Sequence, residues 1–448
     1  MNISIIETSS LGDRSYLVDH DGVAVVIDPQ RDIDRVLELA TDRDVTITHV
    51  LETHVHNDYV TGGLELARTV GAQYVVPAGD DVAYDRRPAH DGDVVEAGAM
   101  RFEVLHTPGH THHHVSYALR VGGDSPSAVF TGGSMLHGTT GRTDLISAED
   151  TEELTHAQFH SVRRLAAELP DEAEVYPTHG FGSFCSATPA TGDSSTIGAA
   201  RQDNPALTSD ESTYVADLIA GLSAYPAYYA HMGVINAAGP SPVDLTTPEP
   251  VDPAELRQRI DAGEWVVDLR TRTAFAAGHL AGTFGFELSG SFVTYLGWLY
   301  RWGAPLTLIA DDHTAIDDAR RELVRIGIDD VRGAAVGPID DLSAGRPLRS
   351  YRVSDFAELA GSPLPAEATL LDVRQSHEFA KRSVPGAVNI PLHELLAHLG
   401  EIPLGEVWVH CGSGYRASIA ASILDGPDRT VVLVDDAFAT AVDLGLAA

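Results

Sequence analysis

Lysine is nearly missing from this chain. Lys381 is the only one among 30 basic residues, and 65 acidic residues face them, for a formal charge of −35. A field of that sign repels nucleic acid and anionic membranes, so neither is expected as a partner. Anionic small molecules are repelled at long range too, until salt screens the field. An acidic, lysine-poor surface suits a salt-rich cytoplasm; a high-GC genome favouring Arg gives the same balance, and composition leaves both open. Cysteine is scarce as well. Cys185 and Cys411 are the only two and fall in different candidate domains, so no disulfide framework is implied. No stretch is long and apolar enough to span a bilayer. The opening MNISIIETSS lacks a basic segment followed by an apolar one, so a cytoplasmic protein is expected.

With 448 residues, 44% of them hydrophobic, the chain holds material for roughly two to four domains. Residues 1–235 alternate β-branched runs with polar turns. Val23–Ile27, Val45–Leu51, Tyr74–Pro77, Phe102–Leu105, Val115–Val121 and Ala128–Thr131 read as strands. Ile33–Ala40, Leu64–Val70 and Glu152–Leu169 read as helices, which implies sheets covered by helices. Gly239-Pro240-Ser241-Pro242, with Pro248, Pro250 and Pro253, marks a linker or domain edge. Beyond it the chain repeats itself. Asp268, Arg270, Phe275 and Gly282 recur as Asp372, Arg374, Phe379 and Gly386 at a constant offset of 104. A duplicated α/β module explains this, with its join at residues 344–350. The expected domains are 1–240, 254–346 and 350–448.

Eight of the 21 histidines lie between His54 and His114. Thr53-His54-Val55-His56-Asn57-Asp58-Tyr59 follows an apolar strand. If the chain stays extended there, His54 and His56 point the same way and share a ligand. His106-Thr107-Pro108-Gly109-His110 and Tyr176-Pro177-Thr178-His179-Gly180 follow two further strands. An isolated histidine in an acidic protein is an ordinary surface residue, but clusters of this kind build metal sites. Near the other end, the strand Val407-Trp408-Val409-His410 runs into Cys411, then Gly412-Ser413-Gly414-Tyr415-Arg416 and a helical stretch, Ala417–Leu424. Amides of such a loop and of the helix start point at the sulfur, which lowers a thiol's pKa and stabilises thiolate and persulfide. The corresponding strand of the middle copy, Leu306–Ile309, runs into Ala310-Asp311-Asp312 without a cysteine. The middle copy is therefore read as a spacer or docking module.

THVHNDY, HTPGH, FTGGSMLHGTTGRTD and YPTHG, in that order over about residues 1–235, resemble the metallo-β-lactamase fold. They are most similar to its persulfide dioxygenase branch, which oxidises a thiol persulfide with O2 on one Fe(II). Asp372-Val373-Arg374, Glu378-Phe379, Pro385-Gly386-Ala387-Val388-Asn389-Ile390-Pro391 and the Cys411 loop resemble the rhodanese signature, except that Arg382-Ser383 replaces the usual Gly-His. The resemblance implies an α/β chain: an αββα metallo-β-lactamase sandwich, then two α/β rhodanese-like domains with parallel sheets.

Two departures bear on the metal. Tyr59 stands where two-metal members carry His, which implies a single ion. Gly133 stands where the family has an Asp ligand, so the usual two-His-one-carboxylate face is not reproduced. The expected replacement is a three-imidazole site from His54, His56 and His110; Asp58 as ligand and a metal-free relic are the alternatives. Asp58, Tyr59, Arg142 and His179 are expected around the pocket. Arg142 either meets a persulfide's carboxylates or pairs structurally with Asp144. Cys185 reads as a buried small residue, and His112, His113 and His114 receive no role. Cys411 and Arg416 are expected to be catalytic, with Gly412, Ser413, Gly414 and Tyr415 forming the persulfide loop.

The implied activity is oxidation of a small thiol persulfide to sulfite, with sulfane sulfur carried by Cys411 between a thiol and sulfite or thiosulfate. One Fe(II) per chain is expected, or Zn in its place. The alternatives are a zinc thioesterase-like hydrolase with a rhodanese tail, and a metal-free sulfur-binding module with only Cys411 active. Association into a homo-oligomer stays open.

Overall fold

The computed structural model describes every residue except 124, 189, 191, 362, 363, 366 and 448. The chain divides into two compact units, Met1–Asp244 with Leu323–Gly327, and Leu245–Glu322 with Ile328–Ala448. No helix among the described residues is long and apolar enough to cross a membrane.

In the first unit, period-two alternation sorts side chains onto two faces of each strand. Tyr16, Val18, Val25 and Ile27 meet Met100, Phe102, Val104 and Tyr117 in one core between two six-stranded sheets. Leu17, Ala24 and Val26 point the other way, onto the helices Asp34–Asp42 and Gly63–Val70. Ala118 and Val129 face Thr151–Glu168 and Glu211–Gly221 through Phe159, Val162 and Leu218. The result is a helix–sheet–sheet–helix sandwich. Burying each such large side chain contributes about 1.5–3 kcal/mol. The strands Val23–Ile27, Thr46–Leu51, Met100–His106, Ala128–Gly132 and Glu174–Pro177 end where the histidine cluster forms.

The second unit holds two all-parallel sheets. One has four strands, ordered Phe284–Gly285, Trp265–Asp268, Leu306–Ala310, Val331–Val336; the other has five, ordered Arg352–Ser354, Arg429–Val434, Gly405–His410, Thr369–Asp372, Val388–Asn389. Both carry the same brace. Arg270 Nη2 donates to Asp268 Oδ2 at 2.6 Å and to the Gly278 carbonyl at 2.9 Å. Arg374 Nη2 donates to Asp372 Oδ2 at 2.6 Å and to the Arg382 carbonyl at 2.8 Å. Strand register aligns the copies further: Asp268 pairs with Ile309, and Asp372 with His410. Ala310 thus occupies the place of Cys411. Pro253, placed by sequence in the linker stretch, opens the helix Pro253–Asp261, capped by Asp252; proline suits that first position because its missing N–H has no partner there anyway.

Asp425 joins parts of this unit distant in sequence. It accepts from Arg349 Nη2 at 2.9 Å and lies 3.1 Å from His279 Nε2. Burial opposes its charge, but Arg349 and His279 hold its pKa down at about 2. A carboxyl depressed on folding adds stability above its ordinary pKa and loses it as pH falls through the folded value. Asp425→Asn is therefore expected to flatten the acid limb of the stability curve between pH 3.8 and about 2, measured by circular dichroism; an unchanged limb would contradict the ion-pair account.

Candidate metal centre and cysteine loop

His54, His110 and His179 are fully buried and each offers a nitrogen within 4.8 Å of the others. His54 Nε2 and His179 Nε2 are 3.4 Å apart. Two imidazole nitrogens on one tetrahedral ion stand about 3.4 Å apart at bonds of about 2.1 Å. His110 Nδ1 is 2.7 Å from the Arg142 carbonyl, a contact that needs the proton on Nδ1 and leaves a lone pair on Nε2. That buried Nε2 has no hydrogen-bond partner. These atoms fit a metal ion.

The surroundings orient the rings. His179 Nδ1 lies 2.9 Å from Asp13 Oδ1 and 3.0 Å from Asp58 Oδ2, turning Nε2 inward. Asp28 accepts from Thr53 N and Thr53 Oγ1, both at 2.7 Å, and from Thr178 Oγ1. It thereby fixes the residues just before His54 and His179. Burial, then the neighbouring imidazoles, push His54 well below the ordinary histidine pKa, and burial takes His110 down to about 3. Both are neutral, as ligands must be. Burial opposes charge on His179, but Asp58 and Asp13 lift it to about 10, so it is protonated without an ion and must release a proton to bind one. Asp58 stays below the usual carboxylate range because facing His179 outweighs burial.

His56, expected beside His54 as a ligand, is absent from this trio. Its Nε2 lies 3.0 Å from Tyr59 Oη, 3.2 Å from Glu52 Oε2 and 3.3 Å from Asp28 Oδ1. His56 belongs instead to a second candidate group with Asp58 and His179, and its buried Nδ1 has no hydrogen-bond partner; its ring lies 4.1 Å from that of His54. Tyr59 stacks on His56 with centroids 4.3 Å apart. Arg142 is held by Asp144 at 2.6 and 2.7 Å and by the carbonyls of Phe184 and Ser223. It takes the structural pairing of the two alternatives. Cys185 is buried, and burial with nearby Asp58 pushes its thiol pKa well up.

Gly133 cannot carry a side chain here. A Cβ would lie 2.2 Å from His110 Cδ2. Its N–H donates to His114 Nε2 at 3.0 Å, and His114 Nδ1 reaches Thr107 Oγ1 at 3.0 Å. His114, given no role from sequence, locks the backbone against the centre. Asp13, Asp28, Glu52 and Thr178 were also missed; the available signal was an acid directly after an apolar strand, as in Ile27-Asp28 and Leu51-Glu52.

In the second unit Cys411 is fully buried at the end of Gly405–His410. Gly414 has φ +86°, a left-handed turn that starts the helix Tyr415–Leu424, longer by two residues than the sequence implied. Ser413 is exposed. Arg416, expected to hold an anionic donor, binds Glu378 through two contacts, at 2.5 and 2.9 Å.

Residues 14–179 match a model of the metallo-β-lactamase superfamily. BaeB of Bacillus velezensis, a probable polyketide biosynthesis zinc-dependent hydrolase, is 30% identical over 164 residues, which are 36% of this chain and 68% of BaeB. The chain belongs to the metallo-β-lactamase superfamily. This superfamily member also matches a rhodanese-like domain model at 353–439. It is 35% identical to a hydroxyacylglutathione hydrolase of Aliivibrio fischeri over 164 residues, 36% of this chain, and spans only 59% of that relative's length. A solved metallo-β-lactamase of Staphylococcus aureus subsp. aureus COL is similar at TM-score 0.68 and 28% identity, over 75% of this chain and 99% of that one. Three quarters of the chain is more than the first unit contains, so that likeness extends into the second. The fold is thus a metallo-β-lactamase sandwich followed by a rhodanese domain.

Proposed function

We propose that this superfamily member couples two sulfur reactions: oxidation of a small thiol persulfide to sulfite at one iron, and transfer of sulfane sulfur by Cys411. The observation that carries this reading is a three-imidazole centre joined in one chain to a rhodanese-type cysteine loop. Fusion raises the concentration of each site's product near the other.

His54, His110 and His179 would hold the ion, which when bound supplies the electron transfer to O2 that side chains lack. The protein's part is orientation. Asp13 and Asp58 fix the His179 tautomer, the Arg142 carbonyl fixes that of His110, and Asp28 anchors Thr53 and Thr178. His179 takes the place in the ligand set that Gly133 leaves open. Tyr59, stacked on His56, occupies the position that would serve a second ion.

Iron loading of the metal-free full chain without oxygen, followed by glutathione persulfide and O2, is expected to give O2 uptake and sulfite. Uptake no higher than in the iron-free protein ends the dioxygenase reading. The second reading is a zinc thioester hydrolase. It is favoured by the names of the BaeB and hydroxyacylglutathione hydrolase relatives and by the fact that three imidazoles plus water also describe catalytic zinc. Zinc retention with thioester turnover and no sulfite would select it.

A further inference from the structure

The second unit places an aromatic helix of the cysteine-free repeat against the cysteine loop. Phe292–Leu299 buries Phe292, Val293, Leu296 and Leu299 in the unit's interior. Tyr295 and Trp298, three residues apart, share another face. Tyr295 packs on Tyr415 with centroids 5.8 Å apart, and Trp298 stacks on His393 at 5.3 Å and 25°. Tyr295, Trp298 and His393 line a narrow cavity with Val373, Gln375, Leu392 and Arg416. Its space accommodates about one water. Val373 N donates to the His410 carbonyl, next to Cys411, and a Cβ on Gly412 would lie 3.0 Å from Arg416 Nη2, so Arg416 rests on the cysteine loop. Burial, with a smaller contribution from Cys411, raises the pKa of Tyr295; burial lowers that of Arg416, and Glu378 outweighs it.

The two repeats are tied together around this cavity. Tyr415 Oη donates to the Glu287 carbonyl at 2.7 Å, and Arg272 Nε to Asp435 Oδ1 at 2.7 Å. A Cβ on Gly414 would lie 2.0 Å from that Asp435 oxygen, so Asp435 rests directly on the loop. The helix start and the loop are thus referenced to the middle repeat, and the stacked Trp298–His393 pair forms part of the cavity wall.

We propose that Tyr295 and Trp298 of the cysteine-free repeat are specificity-determining residues for Cys411, forming an aromatic gate that admits small sulfur donors and excludes large thiols. This rests on the sulfur-transfer reading of Cys411 and assigns the middle repeat a role in it. Arg416, which also lines the cavity, is paired with Glu378, so selection rests on size. With a donor such as thiosulfate, the Cys411 thiolate attacks the outer sulfur. A bond forms between Cys411 Sγ and that sulfur, the donor's own S–S bond breaks, and its electron pair leaves with sulfite. An acceptor thiolate then takes the outer sulfur and Cys411 departs as thiolate. No oxidant is consumed.

Alkylation tests the gate without requiring sulfur transfer. The full chain is treated with iodoacetamide or fluorescein maleimide, and labelling at Cys411 is followed by peptide mass spectrometry. Trp298→Ala and His393→Ala are each expected to raise bulky relative to small labelling by about tenfold, the scale of one aromatic contact. Trp298→Phe is expected to keep wild-type selectivity. Cys185 lies in the other unit and reports only on that one, so the fold of each variant is checked by circular dichroism and thermal melting, which must match the wild type. Selectivity unchanged in both alanine variants, or changed only together with a lost melting transition, overturns the gate. Absence of thiosulfate turnover in the wild type, with the gate responding, instead removes the sulfur-transfer reading alone.

Discussion

Cys411→Ser is expected to lower thiosulfate-to-cyanide sulfur transfer by roughly a thousandfold or more, because a serine hydroxyl is not a nucleophile at its own pKa and forms no persulfide. The substitution removes one sulfur atom from a fully buried position, so folding should survive it. Metal content should not change either, since the imidazole cluster belongs to the other unit. The measurement pairs cyanolysis rates with metal analysis on the same preparation. Transfer retained within a few-fold of wild type would remove Cys411 from the chemistry and leave the loop as packing only.

Gly133→Asp is the second large effect, and its direction runs against intuition. Restoring the family's acid would seem to rebuild a carboxylate ligand. In this structure the new Cβ meets the His110 ring at 2.2 Å. Nor is the ring free to retreat: its Nδ1 is held by the Arg142 carbonyl, and a Cβ on Gly141 would lie 2.8 Å from the same nitrogen. His110 sits between two glycines, and a side chain at 133 must displace it. Overpacking of this kind costs about 1–3 kcal/mol. The variant should therefore melt earlier and bind less metal, read by calorimetry and by iron and zinc analysis. Metal bound more tightly than in the wild type would mean that the centre relaxes around an acid, and that His179 is not what fills the gap.

The cysteine loop was legible because its signals are local. A strand, Cys411, two glycines and a helix start are contiguous, and the repeat at offset 104 framed them. The sheet-and-helix order of the first unit was equally readable from alternation. The imidazole set was only partly so. Period two brings His54 and His56 together, and their rings do lie 4.1 Å apart, but it does not show that each falls in a different candidate group, the two sharing His179. His179 joins the trio through packing that no spacing encodes. Asp13, Asp28 and Glu52 were invisible for a related reason: acids are normally exposed, and only the folded chain surrounds these with imidazoles and hydroxyls. The strand Asp13–His20 escaped notice too. It is buried almost throughout, yet its polar residues Asp13, Arg14 and Ser15 conceal any alternation.

The matched braces of the two repeats have a consequence of their own. Asp268–Arg270 and Asp372–Arg374 hold the same geometry although one copy carries Ala310 where the other carries Cys411. Scaffold and reactivity are therefore separable here: the architecture asks nothing of the thiol. A copy relieved of chemistry can serve as masonry for its twin, and the reactive residue can be tuned without disturbing what supports it.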